Sequence, residues 1–430
     1  METLPLYHQQ FLKKLNNQLF IILLLMVACF FTWSENVNIT RAIKVVGRMG
    51  VMISSILVYR KIINYGSINS LEYKNIFSPI LYICYLILGF ISFSWSTNPG
   101  FSALQWFMTF QSFVFAYFFV KSLKVLDVYF EGHNIRLYHL LGNTVFVLQL
   151  IFVIGMWVAP DVFFRLTDGG EEARLGGTMM NPNELGMLAG VGSACLIFDL
   201  YRFKNKTWTI IKILVILYAL FMTGSRSSLI GVLLIVFFHI NQTKQKTLKF
   251  AIIALVAMVA PFAVYTVILK GGDQERLEEI MSLTGRLPFW KALITEGLPR
   301  EPLLGFGFMR IDYKEFFQSA HTYPGKMTHN TFMQVLMNLG FIGFTIVLFQ
   351  VFFTVKSILS AQKELKLMLI GILIPIVINS FTEFGIFGES NYRIMFYQII
   401  IFSIAFRNNS HLTRLQKIIL KKKRPELTQE

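Results

Sequence analysis

Apolar runs long enough to cross a membrane as helices restrict the fold of this chain more than any other feature. Examples are 19–31, 248–269 and 341–355, the last interrupted only by Thr, Gly and Gln. A transmembrane helix needs about 20 mainly apolar residues. The composition agrees, because 15% of the residues are charged, compared with about 25% in soluble domains. The sequence therefore predicts an all-α polytopic membrane protein and excludes an ordinary soluble enzyme.

Twelve apolar stretches predict about twelve transmembrane helices in a single bundle covering residues 1–430. The spans are about 17–33, 42–59, 76–95, 103–121, 138–159, 183–199, 208–223, 227–240, 248–269, 331–355, 367–384 and 393–406. Residues 270–328, between the ninth and tenth spans, are expected to form one large, partly helical loop, with a helix over 286–296. Connections of this length are usually functional.

The distribution of charge predicts the orientation of the bundle. The net charge is +16, and placing both termini in the cytoplasm puts Lys or Arg in every cytoplasmic loop and most acids outside. This asymmetry is what the positive-inside tendency requires. The tail 407–430 is then a basic cytoplasmic anchor at the lipid surface. Nucleic acid is not an expected partner, because no recognisable binding module accompanies the charge.

Three residues on the predicted outer face could carry chemistry. Arg226 lies in a short turn after Ser225, where a guanidinium either anchors a helix end or binds an anion. Arg286 lies in the large loop and is either a solvated surface residue or a second anion ligand. His329 precedes the tenth span, where the positive end of the helix dipole favours a neutral imidazole that could act as a base. Capping or packing is the alternative for His329.

The sequence lacks the acids that usually hold a divalent metal in membrane glycosyltransferases. It contains no Asp-x-Asp pair, and the first outer loop, 34–40, has Glu35 as its only acid. Walker, Gly-x-Ser-x-Gly and His-Glu-x-x-His motifs are also absent. We therefore expect no metal and no cofactor, and any catalysis would depend on arginine and histidine.

Several short motifs, in this order along the chain, resemble those of the O-antigen ligase and O-antigen/capsule polymerase superfamily of bacterial inner-membrane glycosyltransferases. They are Ser94-Trp95-Ser96-Thr97-Asn98-Pro99, Gly176-Gly177-Thr178 with Asn181-Pro182-Asn183-Glu184-Leu185-Gly186, Thr223-Gly224-Ser225-Arg226-Ser227, Gly285-Arg286 with Trp290, Gly305-Phe306-Gly307, and His329-Asn330-Thr331 with Leu339-Gly340-Phe341-Ile342-Gly343. Each motif is short, but their order and their placement on predicted outer faces make the set specific.

The resemblance implies about twelve transmembrane helices, one large periplasmic loop and a location in the bacterial cytoplasmic membrane. It implies transfer of a glycan from undecaprenyl diphosphate to an acceptor sugar hydroxyl, which is a hexosyl-type transfer without metal or nucleotide. By this resemblance Arg226 and Arg286 hold the diphosphate and His329 is the general base. Attack opposite the diphosphate would invert the anomeric centre. Other polysaccharide-assembly proteins are conceivable partners.

Further residues of these motifs are candidates for substrate binding, and each has a structural alternative. Asn183 and Glu184 either cap the sixth span or bind sugar hydroxyls, and Asn330 is also a reasonable N-cap. Trp290 either stacks on a sugar or prenyl chain or anchors the loop at the interface. Arg174 adds positive potential unless the neighbouring acids neutralise it. Ser225 completes a possible phosphate cradle beside Arg226.

The motifs leave the acceptor open. A polymerase would use another undecaprenyl-linked repeat, and an O-antigen ligase would use the lipid A core. A transporter or lipid-linked-sugar flippase is the competing class, because Lys44, Arg48, Pro261 and Pro375 lie within predicted spans. Against transport, the unusual residues gather at one face rather than at mid-membrane.

Overall fold

The computed structural model describes residues 6–66, 71, 73–130, 135–167, 172–200, 206–242, 250, 286–310 and 328–406. Two short strands, β1 (Phe164–Thr167) and β2 (Glu172–Leu175), form an antiparallel hairpin. The α-helices are α1 (Leu6–Ala28), α2 (Val37–Ala42), α3 (Arg48–Gly66), α4 (Phe77–Ile91), α5 (Pro99–Tyr129), α6 (Leu137–Val158), α7 (Pro160–Phe163), α8 (Pro182–Leu200), α9 (Lys206–Thr223), α10 (Arg226–Gln242), α11 (Arg286–Ala292), α12 (Thr331–Leu359), α13 (Lys363–Thr382) and α14 (Tyr392–Ala405). A π-helical turn, Ile43–Gly47, joins α2 to α3, and another, Leu293–Gly297, extends α11.

The helices confirm a multi-pass membrane architecture. Within the described ranges, nine helical segments are long and apolar enough to cross a membrane, and they coincide with the first seven, tenth and eleventh predicted spans. The shorter apolar helices α10 and α14 coincide with the eighth and twelfth. The predicted ninth span, 248–269, lies outside the described residues apart from Phe250, as do most of the large loop and the tail 407–430. Twelve spans therefore stays a prediction.

Helix α8 is an inner helix whose small residues allow close packing. It contacts α6, α9, α10 and α13. A Cβ added at Gly190 would lie 3.0 Å from Pro375 Cβ, and one at Gly186 would lie 2.7 Å from Ser225 Cβ. Membrane helices associate through such small residues because lipid is as apolar as the side chains themselves, so close packing supplies the attraction. Helix α14 is a second inner helix, buried along its whole length against α5.

Helix α12 is interrupted at Gly340, and a loop covers the break. Gly340 has a φ of 59°, in the left-handed region. The loop supplies hydrogen bonds on both sides: Phe306 N donates to Met337 O (2.9 Å), and Phe341 N donates to Pro302 O (2.8 Å). A membrane offers no water to satisfy exposed backbone groups, so a break at this depth needs protein partners.

The covering loop also contacts the turn between α4 and α5, which carries the motif 94–99. Thr97 N donates to Phe306 O (3.2 Å), and Phe308 N donates to Ser92 Oγ (3.0 Å). The motif residues in these two segments therefore hold the loop in place. Met337 and Asn338, which accept hydrogen bonds from this loop, belong to the part of α12 before the break. The packing therefore also holds that part of α12, which begins two residues after His329.

Replacing Gly340 by Ala should destabilise the protein by at least about 2 kcal/mol, the cost of forcing a strained backbone conformation. The added Cβ would overlap the Leu303 carbonyl group, so the loop would have to move. Thermal unfolding in detergent would measure the effect. Gly50→Ala is the matched control, because an added Cβ there meets no atom within 4 Å and alanine favours a helix. Equal unfolding temperatures for the two variants would contradict the prediction.

Candidate active site

Three helix ends bring His329, Arg286 and a buried carboxylate, Glu383, together. His329 precedes α12, Arg286 begins α11, and Glu383 follows α13. The Nδ1 atom of His329 lies 2.6 Å from Glu383 Oε2, and Arg286 Nη2 lies 3.3 Å from Glu383 Oε1. Arg286 Nη1 also donates to the carbonyl of Thr382. One carboxylate therefore orients both an imidazole and a guanidinium.

The backbone around His329 is held from both sides. Asn330 is the N-cap of α12, and its Oδ1 accepts from Phe332 N (2.9 Å) and Met333 N (3.1 Å). His329 itself has a φ of 48°, a left-handed conformation that is uncommon for a residue with a side chain. Thr328 Oγ1 donates to Asn330 O (2.8 Å) across this residue. Such strain persists where the surroundings over-determine it, and it often marks functional sites.

Glu383 is nearly buried, with 8% of its side chain exposed, yet it is charged. Burial alone would raise the pKa of Glu383, but the hydrogen bond from His329 and the charges of His329, Arg286 and Arg393 lower it to about 2. The carboxylate is therefore ionised throughout the neutral range. Because the folded-state pKa lies below the ordinary value, this charge stabilises the fold above pH about 4.5, and that contribution is lost as the pH falls towards 2.

A chain of polar contacts extends from Glu383 to the β-hairpin. Asn183 Nδ2 donates to Glu383 Oε1 (3.2 Å), and Arg174 Nη2 donates to Asn183 Oδ1 (2.8 Å). Arg174 Nε also donates to Thr223 O (2.7 Å), the residue that ends α9. Asn183 therefore bridges a guanidinium and the site carboxylate. The structure thus places Arg174 and Asn183 in one network with His329 and Arg286.

Arg226 lies on a turn that is part of the same helix-end cluster. Gly224, with a φ of 59°, allows the turn to pass close to Arg174, and Arg226 is the first residue of α10. Ser227 Oγ donates to Asn379 Oδ1 (3.2 Å), one helical turn before Glu383 on α13. Ser225 is buried and donates to Ser228 Oγ (2.8 Å). Arg226 itself is half-buried at the edge of the site.

Trp290 and Asn330 use their polar groups to position the site backbone. Trp290 Nε1 donates to Thr328 O (2.8 Å), the residue before His329. Asn330 Nδ2 donates to Phe381 O (3.3 Å), which ties the start of α12 to the end of α13. Their predicted role in substrate binding stays a prediction, since these contacts are to the chain itself.

Glu184, although adjacent to Asn183, points away from His329. Arg393 Nη2 donates to Glu184 Oε1 (2.8 Å), and the Tyr392 hydroxyl donates to the Glu184 carbonyl. Glu184 also lines a cavity of about 380 Å³ together with Lys44 and Asn181. The first turn of α8 thus presents one side chain to the His329 site and the next to a separate cavity.

Glu383 is the residue that sequence reasoning missed. It lies in Thr382-Glu383-Phe384, at the outer end of the predicted eleventh span, 367–384, and so on the same predicted face as His329. An acid at such a boundary is costly unless it has a partner, and this was the available signal. In the described part of the chain, no three His, Cys, Asp or Glu side chains are grouped so that they could hold a metal ion.

The fold and the site define a polytopic helical membrane protein with a histidine, a carboxylate and arginines clustered at helix ends. Residues 211–348 match the family model described as O-antigen ligase, which confirms the resemblance to the O-antigen ligase and polymerase superfamily. The matched segment contains Arg226, Arg286 and His329, whereas Asn183 and Glu383 lie outside it. None of the curated proteins matches the chain.

Replacing Glu383 by Gln should lower the rate of the reaction carried out at this site by about 10²–10⁴-fold. The amide keeps the size of the side chain but removes the charge that orients His329 and stabilises its imidazolium. The rate constant kcat of the purified protein would measure the loss. Glu301→Gln, an exposed acid on the neighbouring loop, is the control and should retain full activity. An unchanged kcat in Glu383→Gln would contradict the role of Glu383.

Proposed function

We propose that this chain is a metal-independent membrane glycosyltransferase that moves a glycan from undecaprenyl diphosphate to a sugar hydroxyl and so polymerises a surface polysaccharide of the O-antigen or capsule type. The observation that carries the proposal is the contact of His329 and Arg286 with one carboxylate, because both residues lie in the segment that matches the O-antigen ligase model. That match supports a glycosyltransferase-type enzyme, and the remaining steps are our inference.

In this proposal Glu383 and His329 act together as the base. Glu383 accepts a hydrogen bond from the Nδ1–H group of His329, so the neutral imidazole has its acceptor lone pair on Nε2. The Nε2 atom takes the proton of the acceptor hydroxyl as its oxygen attacks the anomeric carbon of the donor. The new carbon–oxygen bond forms as the bond to the diphosphate breaks, and the lipid diphosphate leaves with the electron pair. The buried carboxylate stabilises the imidazolium that results.

Arg226 and Arg286 would bind the diphosphate and stabilise the charge that develops on it. A guanidinium can bind phosphate oxygens through two parallel hydrogen bonds, and this planar geometry suits a leaving group that gains negative charge. Arg286 is held by Glu383 and by the Thr382 carbonyl, which leaves its position fixed before a substrate arrives. Pre-positioned donors of this kind need no reorganisation during the reaction. Attack from the face opposite the diphosphate would invert the anomeric centre.

Asn183, Arg174 and Ser225 would support the donor-binding face. Arg174 and Asn183 are joined to Glu383 by hydrogen bonds, and Ser225 lies at the start of the turn that carries Arg226. Trp290 and Asn330 border the same site. Their polar atoms hold the backbone next to His329, and we propose that the exposed part of Trp290 contacts the glycan or the prenyl chain.

The site end of the bundle would face the periplasm or the cell exterior, with both termini in the cytoplasm. The helix ends that carry His329, Arg226 and Glu383 lie together, whereas Lys356, Lys363 and Lys366 lie at the opposite ends of α12 and α13. This distribution agrees with the positive-inside tendency. The partners in this arrangement are the bilayer, the lipid-linked donor and a glycan acceptor.

The contacts of the charged and proline residues within spans favour an enzyme over a transporter. Arg48 is fully buried, donates to Ser390 Oγ (2.9 Å) and lies over the Phe30 ring at 4.2 Å. Pro375 packs against Gly190 of α8 and Gly231 of α10. The contacts of Arg48 and Pro375 are thus with neighbouring helices and the loop before α14, and they do not support a transport site in the interior of the bundle.

Polymerase and ligase differ in the acceptor, and supplying acceptors separately distinguishes them. We expect purified protein given only lipid-linked repeat units to produce a ladder of longer lipid-linked glycans on a gel. Adding lipid A core should not be required. Transfer that occurs only when the lipid A core is present would establish the ligase instead. Absence of transfer with both acceptors would contradict the proposed function.

Replacing His329 by Ala should abolish detectable transfer, a loss of at least about 10²-fold, because among the described residues His329 is the base that contacts Glu383. Glycan transfer by the purified variant is the measurement. His139→Ala is the matched control, because His139 belongs to α6 and lies beside Asp199, away from this site. The control should keep wild-type activity. Wild-type transfer by His329→Ala would contradict the role of His329 as the general base.

A further inference from the structure

A polar cavity lies at the first turn of α8, and its lining does not include His329. It is lined by Lys44, Arg165, Glu184, Asn181, Thr178 and the rings of Phe30 and Phe164. We call it the Glu184 cavity. Its volume of about 380 Å³ falls in the range typical of small-molecule sites. The mixture of an ammonium, a carboxylate, an amide, a hydroxyl and aromatic rings provides both hydrogen bonds and apolar surface.

Cations outnumber carboxylates in and directly behind this cavity. In the described residues the cluster comprises four cations and two carboxylates: Lys44, Arg165, Arg48, Arg393, Glu184 and Glu389. Arg393 also interacts with the carboxylate of Glu383 in the neighbouring site. Glu184 is already paired with Arg393 at 2.8 Å. Burial, together with the charge of Glu184, raises the pKa of Glu389. Glu389 is therefore less readily ionised, and it neutralises less of the positive charge of the cluster.

Two arginines of the cluster, Arg48 and Arg393, are buried and only partly matched by carboxylates. Arg393 is 1% exposed, and its Nε and Nη1 atoms have no acceptor among the described residues. Arg48 is 0% exposed and donates to a hydroxyl, a backbone carbonyl and the Met108 sulfur, not to a carboxylate. An excess of positive charge at a largely dry site is costly unless an anion binds. Lys44 and Arg165 both line the cavity, so an anion in it would lie next to positive charge.

We propose that the Glu184 cavity binds an acidic sugar residue of the glycan, with its carboxylate against Lys44 and its hydroxyls against Glu184 and Asn181. The proposal rests on the proposed glycosyltransferase function and specifies its substrate class. Asn183, the residue next to Glu184, donates to Glu383, so the cavity and the His329 site share one turn of α8. A sugar bound in the cavity therefore lies beside the turn of α8 whose Asn183 contacts Glu383. Either the donor or the acceptor glycan can supply the acidic residue.

Binding can be measured at the cavity itself without any transfer reaction. Thr178 lines the cavity and is exposed, so Thr178→Cys in a full chain that also carries Cys29→Ala should react with a membrane-impermeant maleimide. The probes are cellobiouronate and cellobiose, which differ by one carboxylate. We expect cellobiouronate to slow labelling at least fivefold and cellobiose to leave it almost unchanged.

Substitution of Lys44 tests the charge. In the same background Lys44→Met should remove the protection by cellobiouronate, whereas Lys61→Met, at the opposite end of α3, should keep it. Equal protection by both disaccharides, or protection by neither, would overturn the proposal. Protection by inorganic pyrophosphate but not by cellobiouronate would overturn it as well, since the cavity would then belong to the diphosphate site. The two disaccharides are also compared in the Thr178→Cys chain with Lys44 unchanged. That comparison still tests the proposal if Lys44→Met does not fold.

Transfer kinetics assign the sugar to a substrate and separate this proposal from the proposed function. With the host's lipid-linked repeat, Lys44→Met should raise KM at least tenfold for either donor or acceptor while kcat stays near the wild-type value. The substrate whose KM rises is the one that occupies the cavity. Unchanged KM for both substrates would overturn the assignment to the glycan. If the unmodified chain transfers no glycan at all, the proposed function fails, and the labelling experiment still decides whether the cavity binds an acidic sugar.

Discussion

The carboxylate of Glu383 is the interaction on which the candidate site depends. It accepts from His329 on one oxygen and from Arg286 and Asn183 on the other, and these partners come from the start of α12, from α11 and from α8. A buried carboxylate without partners would be costly, and so would a guanidinium at the edge of a bilayer. Each group therefore lowers the free-energy cost of burying the others. The same pairing favours the imidazole tautomer with its acceptor lone pair on Nε2, as the proposed base requires.

The packing of the bundle serves this arrangement. Small residues let α8 approach α10 and α13, so that Asn183 reaches Glu383. The break at Gly340 and the loop that covers it hold the beginning of α12, where His329 has a strained backbone. The short motifs that resemble those of the O-antigen ligase and polymerase superfamily thus divide into two groups. Some carry residues of the candidate site, and others, such as Gly305-Phe306-Gly307, make close backbone contacts with α12.

Much of the fold was predictable, because helices in lipid must satisfy their own backbone and therefore need long apolar runs. The predicted span 183–199 corresponds to α8, and 331–355 corresponds to α12. The predicted N-cap at Asn330 is also confirmed. The hairpin of β1 and β2 was not predicted, since its strands are only four residues each and lie in a segment that reads as a polar loop. The partnership of His329 with Glu383 was missed because the two residues are 54 positions apart and no local pattern links them.

The sequence by itself determined the class of protein and the approximate positions of most helices, and it singled out Arg226, Arg286 and His329 as candidates for chemistry. Those properties depend on local hydrophobicity and on short motifs, which a linear chain displays directly. Only the tertiary structure decided which groups meet. It joined His329 and Arg286 through Glu383, placed Asn183 and Glu184 in different polar networks, and gathered Lys44, Arg48 and Arg393 around one cavity. These contacts depend on how helix ends that are distant in the sequence pack together. The energy of a buried charge depends on its neighbours in space, which the order of residues in the chain does not reveal.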